Sequence, residues 1–234
     1  MNNKPYSPND RRPIASRNTS WATSISRRLA QRGISPNAIS TWSMIFAAIA
    51  ALALVAISYV SDSVITRILW WVVLLGIQLR LLANLFDGMV AIETQTASPV
   101  GELFNEIPDR VSDTLILLAW GLLPDSSLFL AVSAAFLALF VSYLRAMGAA
   151  AGAGQAFAGV MSKPKRMFVL SILCVLHALL PQAWLDTMHA GSWGLDSWGL
   201  LIICLGCLMT AWTRLQHIVH TLNAKAQPTP PSAR

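Results

Sequence analysis

LFLAVSAAFLALFVSYLRAMGAA, from Leu128 to Ala150, carries a single charge, Arg145. The run is long enough to cross the hydrocarbon core of a bilayer, which takes roughly 20 apolar residues. Five more apolar stretches accompany it, near Trp42 to Val60, Val64 to Phe86, Val100 to Leu123, Met167 to Leu180 and Trp198 to Trp212. The stretch from Met167 is short and needs extension at one end to span. Lipid offers no partner to an open sheet edge, so each stretch is read as a helix. Ahead of them, between Ser20 and Gly33, Trp21, Ile25 and Leu29 recur at helical spacing while Arg27, Arg28 and Arg32 stay polar, the pattern of a helix lying on a membrane surface. Ser35, Pro36 and Asn37 stop that helix and cap the next. The expected fold class is an all-α polytopic membrane protein, with six transmembrane helices preceded by an amphipathic surface helix.

Composition agrees. Of 234 residues, 55% are hydrophobic and 12% charged, against about 25% charged in soluble domains. Seventeen basic residues outnumber eleven acidic ones, a +6 balance that in a membrane protein reflects anchoring to anionic lipid. The basic residues form no stripe with interleaved aromatics, so no nucleic-acid partner is expected. Cys174, Cys204 and Cys207 all lie in apolar runs, which excludes a disulfide framework. The polar first forty residues give no expectation of a cleavable signal peptide. Residues 1–19 read as a disordered cytoplasmic tail, 20–215 as the membrane domain and 216–234 as a second cytoplasmic tail.

Charge sets the orientation. Lys and Arg crowd the amino-terminal region, the loop with Lys163, Lys165 and Arg166, and the carboxy-terminal end with Arg214 and Lys225. Those regions are expected on the cytoplasmic side, and the loops holding Asp62, Asp125, Asp186 and Asp196 on the other. With six crossings, both termini and the loop carrying Glu93 face the cytoplasm.

Asp87, Glu93, Glu102, Glu106, Asp109 and Asp113 fall in one short stretch that ends one span and begins the next. Ionisable groups at membrane depth cost several kcal/mol when unpaired, so they mark function by default. The bland alternative is headgroup placement or pairing with Arg80 and Arg110, and it is the preferred reading for Glu93 and Glu102. On a helix Asn84 and Asp87 share a face, as do Asn105, Asp109 and Asp113. Asp109 lies about 13 Å along its span from Val100 at 1.5 Å per residue. Oxygen donors without histidine suit Mg²⁺, Mn²⁺ or Ca²⁺ rather than zinc. Arg145, Lys163, Lys165 and Arg166 approach the same cytoplasmic face and form a candidate phosphate site. His177 stands alone in its span, where such a residue more often bonds a neighbouring helix backbone than a metal.

These residues resemble the CDP-alcohol phosphotransferase (CDP-alcohol phosphatidyltransferase) family, whose signature is D-x-x-D-G-x-x-A-R, eight to twelve residues, then G-x-x-x-D-x-x-x-D. The chain reads Asn84-x-x-Asp87-Gly88-x-x-Ala91-Ile92, eight residues, then Gly101-x-x-x-Asn105-x-x-x-Asp109. The spacing fits throughout, while Asn84 and Asn105 replace aspartates and Ile92 replaces the arginine. Ser35-Pro36-Asn37-Ala38-Ile39-Ser40, Tyr143-Leu144-Arg145 and Lys163-Pro164-Lys165-Arg166 look like further elements of the family, in the same order.

The resemblance implies a bacterial inner-membrane enzyme of phospholipid synthesis that acts at the cytoplasmic face. An alcohol attacks the lipid-linked phosphorus of a CDP-activated lipid such as CDP-diacylglycerol, and CMP leaves. It implies Mg²⁺ or Mn²⁺, one or two ions, at Asn84, Asp87, Asn105 and Asp109, with Asp109 as catalytic base. Glu106 and Asp113 are the acids available to replace the missing charge. Gly88, Ala91, Gly101 and Asn37 take nucleotide positions; Arg145, Lys163, Lys165 and Arg166 match the acceptor-phosphate side; and the family implies a homodimer. Two other readings are kept: a cation or proton transporter with an acidic relay, and a homologue that binds CDP-lipid without turnover.

Overall fold

The computed structural model describes residues 19–96, 99–191 and 193–226, except the side chains of Pro99 and Glu102. Of the tails expected at 1–19 and 216–234, residues 1–18 and 227–234 lie outside the described residues, as does the placing of Glu102. Among the described residues eight helices follow one another: α1 (Ser20–Gln31), α2 (Pro36–Ile57), α3 (Ser63–Glu93), α4 (Pro99–Trp120), α5 (Leu128–Ala150), α6 (Lys163–Leu179), α7 (Gln182–Asp186) and α8 (Leu195–Ala226). Among the described residues no strand forms; Ala190 and Trp193 make one isolated bridge.

Local chemistry sets the starts. Ser35 accepts from the Ala38 N–H at 3.2 Å with Pro36 in the first turn of α2, Asp62 accepts from Val64 and Ile65 N–H at 2.8 and 2.9 Å, and Ser127 caps α5. Each side-chain oxygen satisfies backbone donors that a helix start leaves without partners.

Packing order follows residue size. Helix α2 lies along both α3 and α4, α5 packs on α8 and on α4, and α6 packs on α3 and α8. Ala47, Ala50 and Ala51 of α2 are buried in this core, and Gly76 of α3 faces them. A Cβ at Gly76 would stand 2.9 Å from both Ala50 Cβ and the Phe46 carbonyl oxygen, so only glycine permits this approach. Such small-residue contacts are how helices come together where lipid supplies no hydrophobic drive. Outside the core, Leu52, Leu75, Phe129, Phe136, Phe168 and Ile202 are exposed, an apolar surface suited to lipid and far too large for water.

Four helices, α2, α3, α5 and α8, have the length and apolarity of membrane spans. Helix α4 carries Glu106, Asp109, Arg110 and Asp113 along its length, and α6 has 17 residues, starting at Lys163 rather than at the expected Met167. Helix α8 runs through to Ala226, past the expected tail boundary at 215, and α3 continues beyond Phe86 to Glu93. Neither extension meets a proline, so the backbone ladder runs on past the apolar pattern.

Helix α1 forms where the spacing placed it and packs on α3, with Ala22 and Ser26 buried and the Trp21 ring edge-on to Phe86 at 6.1 Å. Arg27 of α1 pairs with Glu93 at 3.3 Å. At the opposite end, His177 departs from expectation. Its Nε2 lies 3.1 Å from a carboxylate oxygen of Asp196, and its ring stacks on Trp70 at 4.2 Å. Asp196, expected in a solvent-facing loop, is buried at the start of α8 and also accepts from Trp120 Nε1 at 2.8 Å. The carboxylate buried there is satisfied by the Trp120 N–H, with the His177 ring beside it.

Candidate active site

Helix α3 presents Arg80, Asn84 and Asp87 at one-turn intervals, and α4 presents Asn105, Asp109 and Asp113 likewise. The two faces meet. Asn84 donates through Nδ2 to Asn105 Oδ1 at 2.9 Å, and Arg80 donates to the Asp109 carbonyl at 3.2 Å while lying 3.6 Å from its Oδ1. Lys163, at the start of α6, places its ammonium on both Asn84 Oδ1 and Asp109 Oδ1. Asp87 is buried, accepts from Ser40 of α2 at 2.8 Å and from the Gly88 N–H, and stands within electrostatic reach of Asp109 and Lys163.

The other two acids are held by arginine. Asp113 sits between Arg80 at 2.6 Å and Arg166 at 2.7 Å, all three side chains at most 3% exposed. Glu106 pairs with Arg145 at 2.6 Å and with Arg110 one turn along its own helix. Arg145 in turn stands 5.8 Å from the centre of the Phe157 ring, within cation–π range.

These groups border a cavity of about 430 Å³. Its lining includes Asn84, Asn105, Glu106 and Asp109 together with Arg145, Lys163, Arg166 and Arg214. Helices α3, α4, α5, α6 and α8 each contribute, so the cavity lies where the bundle converges. Several expected residues stand elsewhere. Asp87 and Asp113 pack behind the cavity wall, Lys165 and Asn37 are exposed, and Gly88, Ala91 and Gly101 lie outside its lining.

Three contributors were not singled out from sequence. Arg80 was considered only as a neutralising partner, yet its side chain is fully buried and joins Asp109 to Asp113. Arg214, read as part of the carboxy-terminal charge, lies within α8 and donates to the carbonyls of Ala158 at 3.0 Å and Val141 at 2.6 Å. Ser40 binds Asp87. The two arginines carried the signal that drew attention to Arg145, a lone cation at membrane depth. Ser40 was quoted only as the last residue of the Ser35–Ser40 element, without a role of its own.

Among the described residues no three His, Cys, Asp or Glu side chains are gathered as a metal-binding group. The oxygen donors at the signature positions are two carboxylates, Asp109 on the cavity lining and Asp87 behind it, with two amides on the lining, Asn84 and Asn105. Carboxylate and amide oxygens are donors for a hard divalent cation, and each amide carbonyl keeps a second lone pair beyond its present hydrogen bond. Two carboxylates match the charge of a single divalent ion, so the residues present fit one such ion.

No protein-family model matches the chain. A curated Escherichia coli (strain K12) protein, "Inner membrane protein YnbA", is 22% identical over 149 residues, which cover 64% of this chain and 68% of that one. Three crystal structures of Mycobacterium tuberculosis phosphatidylinositol phosphate synthase (PgsA1) share the fold. The complex with manganese and citrate superposes with a TM-score of 0.62 at 16% identity, covering 91% of this chain and 96% of that one. The form with CDP-DAG bound gives 0.60 at 14% identity over 90% and 100%, and the apo form 0.60 at 18% over 88% and 100%.

Proposed function

We propose that the chain is a CDP-alcohol phosphatidyltransferase of phospholipid synthesis, taking the phosphatidyl group from CDP-diacylglycerol to an alcohol and releasing CMP. It is an integral protein of a bacterial inner membrane with six spans, α2 to α6 and α8, and α1 lies on the lipid surface. Both termini and the cavity face the cytoplasm, and the protein works as a homodimer. One observation carries the reading: signature positions on two neighbouring helices, Asn84, Asn105 and Asp109, meet Arg145, Lys163, Arg166 and Arg214 across a single cavity. The shared fold with a phosphatidylinositol phosphate synthase and the likeness to an inner-membrane protein support it.

The chemistry asks mainly for positioning and charge neutralisation. The alcohol enters on the side of Arg145, which Glu106 holds in place and which offers its guanidinium to a phosphate on the acceptor. Asp109 takes the hydroxyl proton while the acceptor oxygen forms a bond to the lipid-linked phosphorus. The bond from that phosphorus to the CMP oxygen breaks, and CMP carries away the electron pair. Arg80 fixes Asp109 through its backbone carbonyl and carboxylate, keeping the base in register with the cavity. A divalent Mg²⁺ or Mn²⁺, held by Asp87, Asp109, Asn84 and Asn105, would supply charge neutralisation at the diphosphate. Gly88, Ala91, Gly101 and Asn37, at the nucleotide positions of the resembled signature, are the residues assigned to the nucleotide in this reading.

The test is purified protein in lipid nanodiscs with CDP-diacylglycerol, Mg²⁺ or Mn²⁺ and a panel of polyol and polyol-phosphate acceptors. CMP release by the native chain and its loss in Asp109→Asn is the expected result. Folded native protein that releases no CMP with any acceptor in either metal overturns the reading.

A further inference from the structure

We propose that the ammonium of Lys163 acts as a resident cation in place of a second divalent ion, so that each chain takes up one divalent ion and no more. The inference rests on the metal-dependent reading of the site just given and goes beyond it by fixing the ion count and naming the residue that sets it.

Three observations converge. The first is position. Lys163 Nζ contacts Asn84 Oδ1 and Asp109 Oδ1 together, so the ammonium bridges two of the four oxygen-bearing side chains of the signature, one from each helix, and Asn84 in turn donates to Asn105. A lysine anchoring lipid headgroups would point outward, as Lys165 does two residues on. The Lys163 side chain is instead 14% exposed.

The second is charge. In the resembled signature all four positions are aspartates, enough negative charge for two divalent ions. Here Asn84 and Asn105 remove half of it, and the remaining pair, Asp87 and Asp109, balances one. Among the described residues, the two nearby acids are already committed to arginines. Asp113 is enclosed between two buried guanidiniums, and Glu106 is shared by Arg110 and Arg145. With Lys163 charged, one divalent ion already leaves these groups net positive, and a second would add two further charges in a largely desolvated place, where like charges repel strongly.

The third is chemistry. The amide carbonyl of Asn84 is a neutral acceptor, well suited to an ammonium donor, which needs only hydrogen-bond acceptors. The two asparagines and the lysine thus form a matched set, in which the lost carboxylates and the gained ammonium answer one another. An ammonium can hold a phosphate oxygen as a point charge, the part a second ion would otherwise take at the diphosphate.

Manganese counting tests this without reference to turnover. The native protein in detergent is titrated with MnCl₂, with and without CDP-diacylglycerol, and free Mn²⁺ is followed by electron paramagnetic resonance. One Mn²⁺ per chain, with a six-line spectrum free of spin coupling, is expected. The triple variant Lys163→Met, Asn84→Asp, Asn105→Asp should take up two, with a coupled multiline spectrum. Two Mn²⁺ per native chain overturns the inference while leaving the metal-dependent reading standing. No Mn²⁺ bound to the native chain under either condition overturns both. The native measurement decides the matter even if the triple variant fails to fold.

Discussion

Replacing Asp113 by asparagine should destabilise the protein more than any exposed substitution. The carboxylate meets Arg80 at 2.6 Å and Arg166 at 2.7 Å, with both guanidiniums at most 2% exposed. Asparagine keeps the shape but removes the charge, and its amide nitrogen presents donors to a guanidinium that has only donors. Each charge-assisted hydrogen bond is worth about 1.5–3 kcal/mol, and breaking a buried pair from one side costs about 3–5 kcal/mol. Taking about 4 kcal/mol, and about 2–4 °C per kcal/mol for a chain of this size, the unfolding midpoint should fall by roughly 10 °C. Cys174, Cys204 and Cys207 are free and buried, so a thiol-reactive fluorophore reports unfolding in detergent directly. Lys165→Ala, on an exposed side chain, serves as the control and should leave the midpoint in place. Asp113→Leu combined with Arg80→Met and Arg166→Met, which removes the charges together, should recover most of the loss. A midpoint for Asp113→Asn within about 2 °C of the native one would mean that the triad contributes little, and would refute the argument.

Gly76→Leu should force α2 and α3 apart, because even a Cβ there meets Ala50 and the Phe46 carbonyl at 2.9 Å; the expected loss is about 1–3 kcal/mol in the same thermal assay, and an unchanged midpoint would contradict the packing. Outside the spans, the His189 ring is held above the ordinary imidazole pKa, first by the Asp186 carbonyl and then by Asp125. This contact therefore stabilises the loop fully below the unfolded-state value and is lost as pH rises through the raised one. An imidazole resonance followed by NMR should titrate above the ordinary value in the native protein and lower in Asp125→Asn; identical titrations would disprove the link.

The gross architecture was legible because a bilayer leaves little choice: runs such as Leu128–Ala150 must be helices, and that one was read to the residue. Ends were less legible. The apolar pattern stops at Trp212, but nothing stops the helix, and α8 continues to Ala226. In the site, fixed spacing on two helices was enough to bring Asn84 toward Asn105 and Asp109. Long-range partners were a different matter. That Asp113 faces Arg80 and Arg166, or that His177 meets Asp196, depends on how α3, α4, α6 and α8 rotate against one another. Packing of small residues sets those rotations, and one sequence carries them only collectively. Lys165 and Arg166 illustrate the limit: adjacent in the chain, one points to solvent and the other lies buried.

The charges that α4 carries bear on how the protein is made. At the centre of a span each Asp or Arg opposes insertion by about 3 kcal/mol, and α4 holds Asp109, Arg110 and Asp113 within a little over one turn. Leaving the translocation channel alone would strand those charges in lipid. Arg80, on the helix synthesised just before, is available to Asp113 while the ribosome is still extending the chain, whereas Arg166 arrives only with α6. On the proposed six-span topology, helix α4 would need to shelter beside its predecessor during synthesis, and a nascent chain stopped before α6 is then expected to be held at the insertion machinery rather than released into the bilayer.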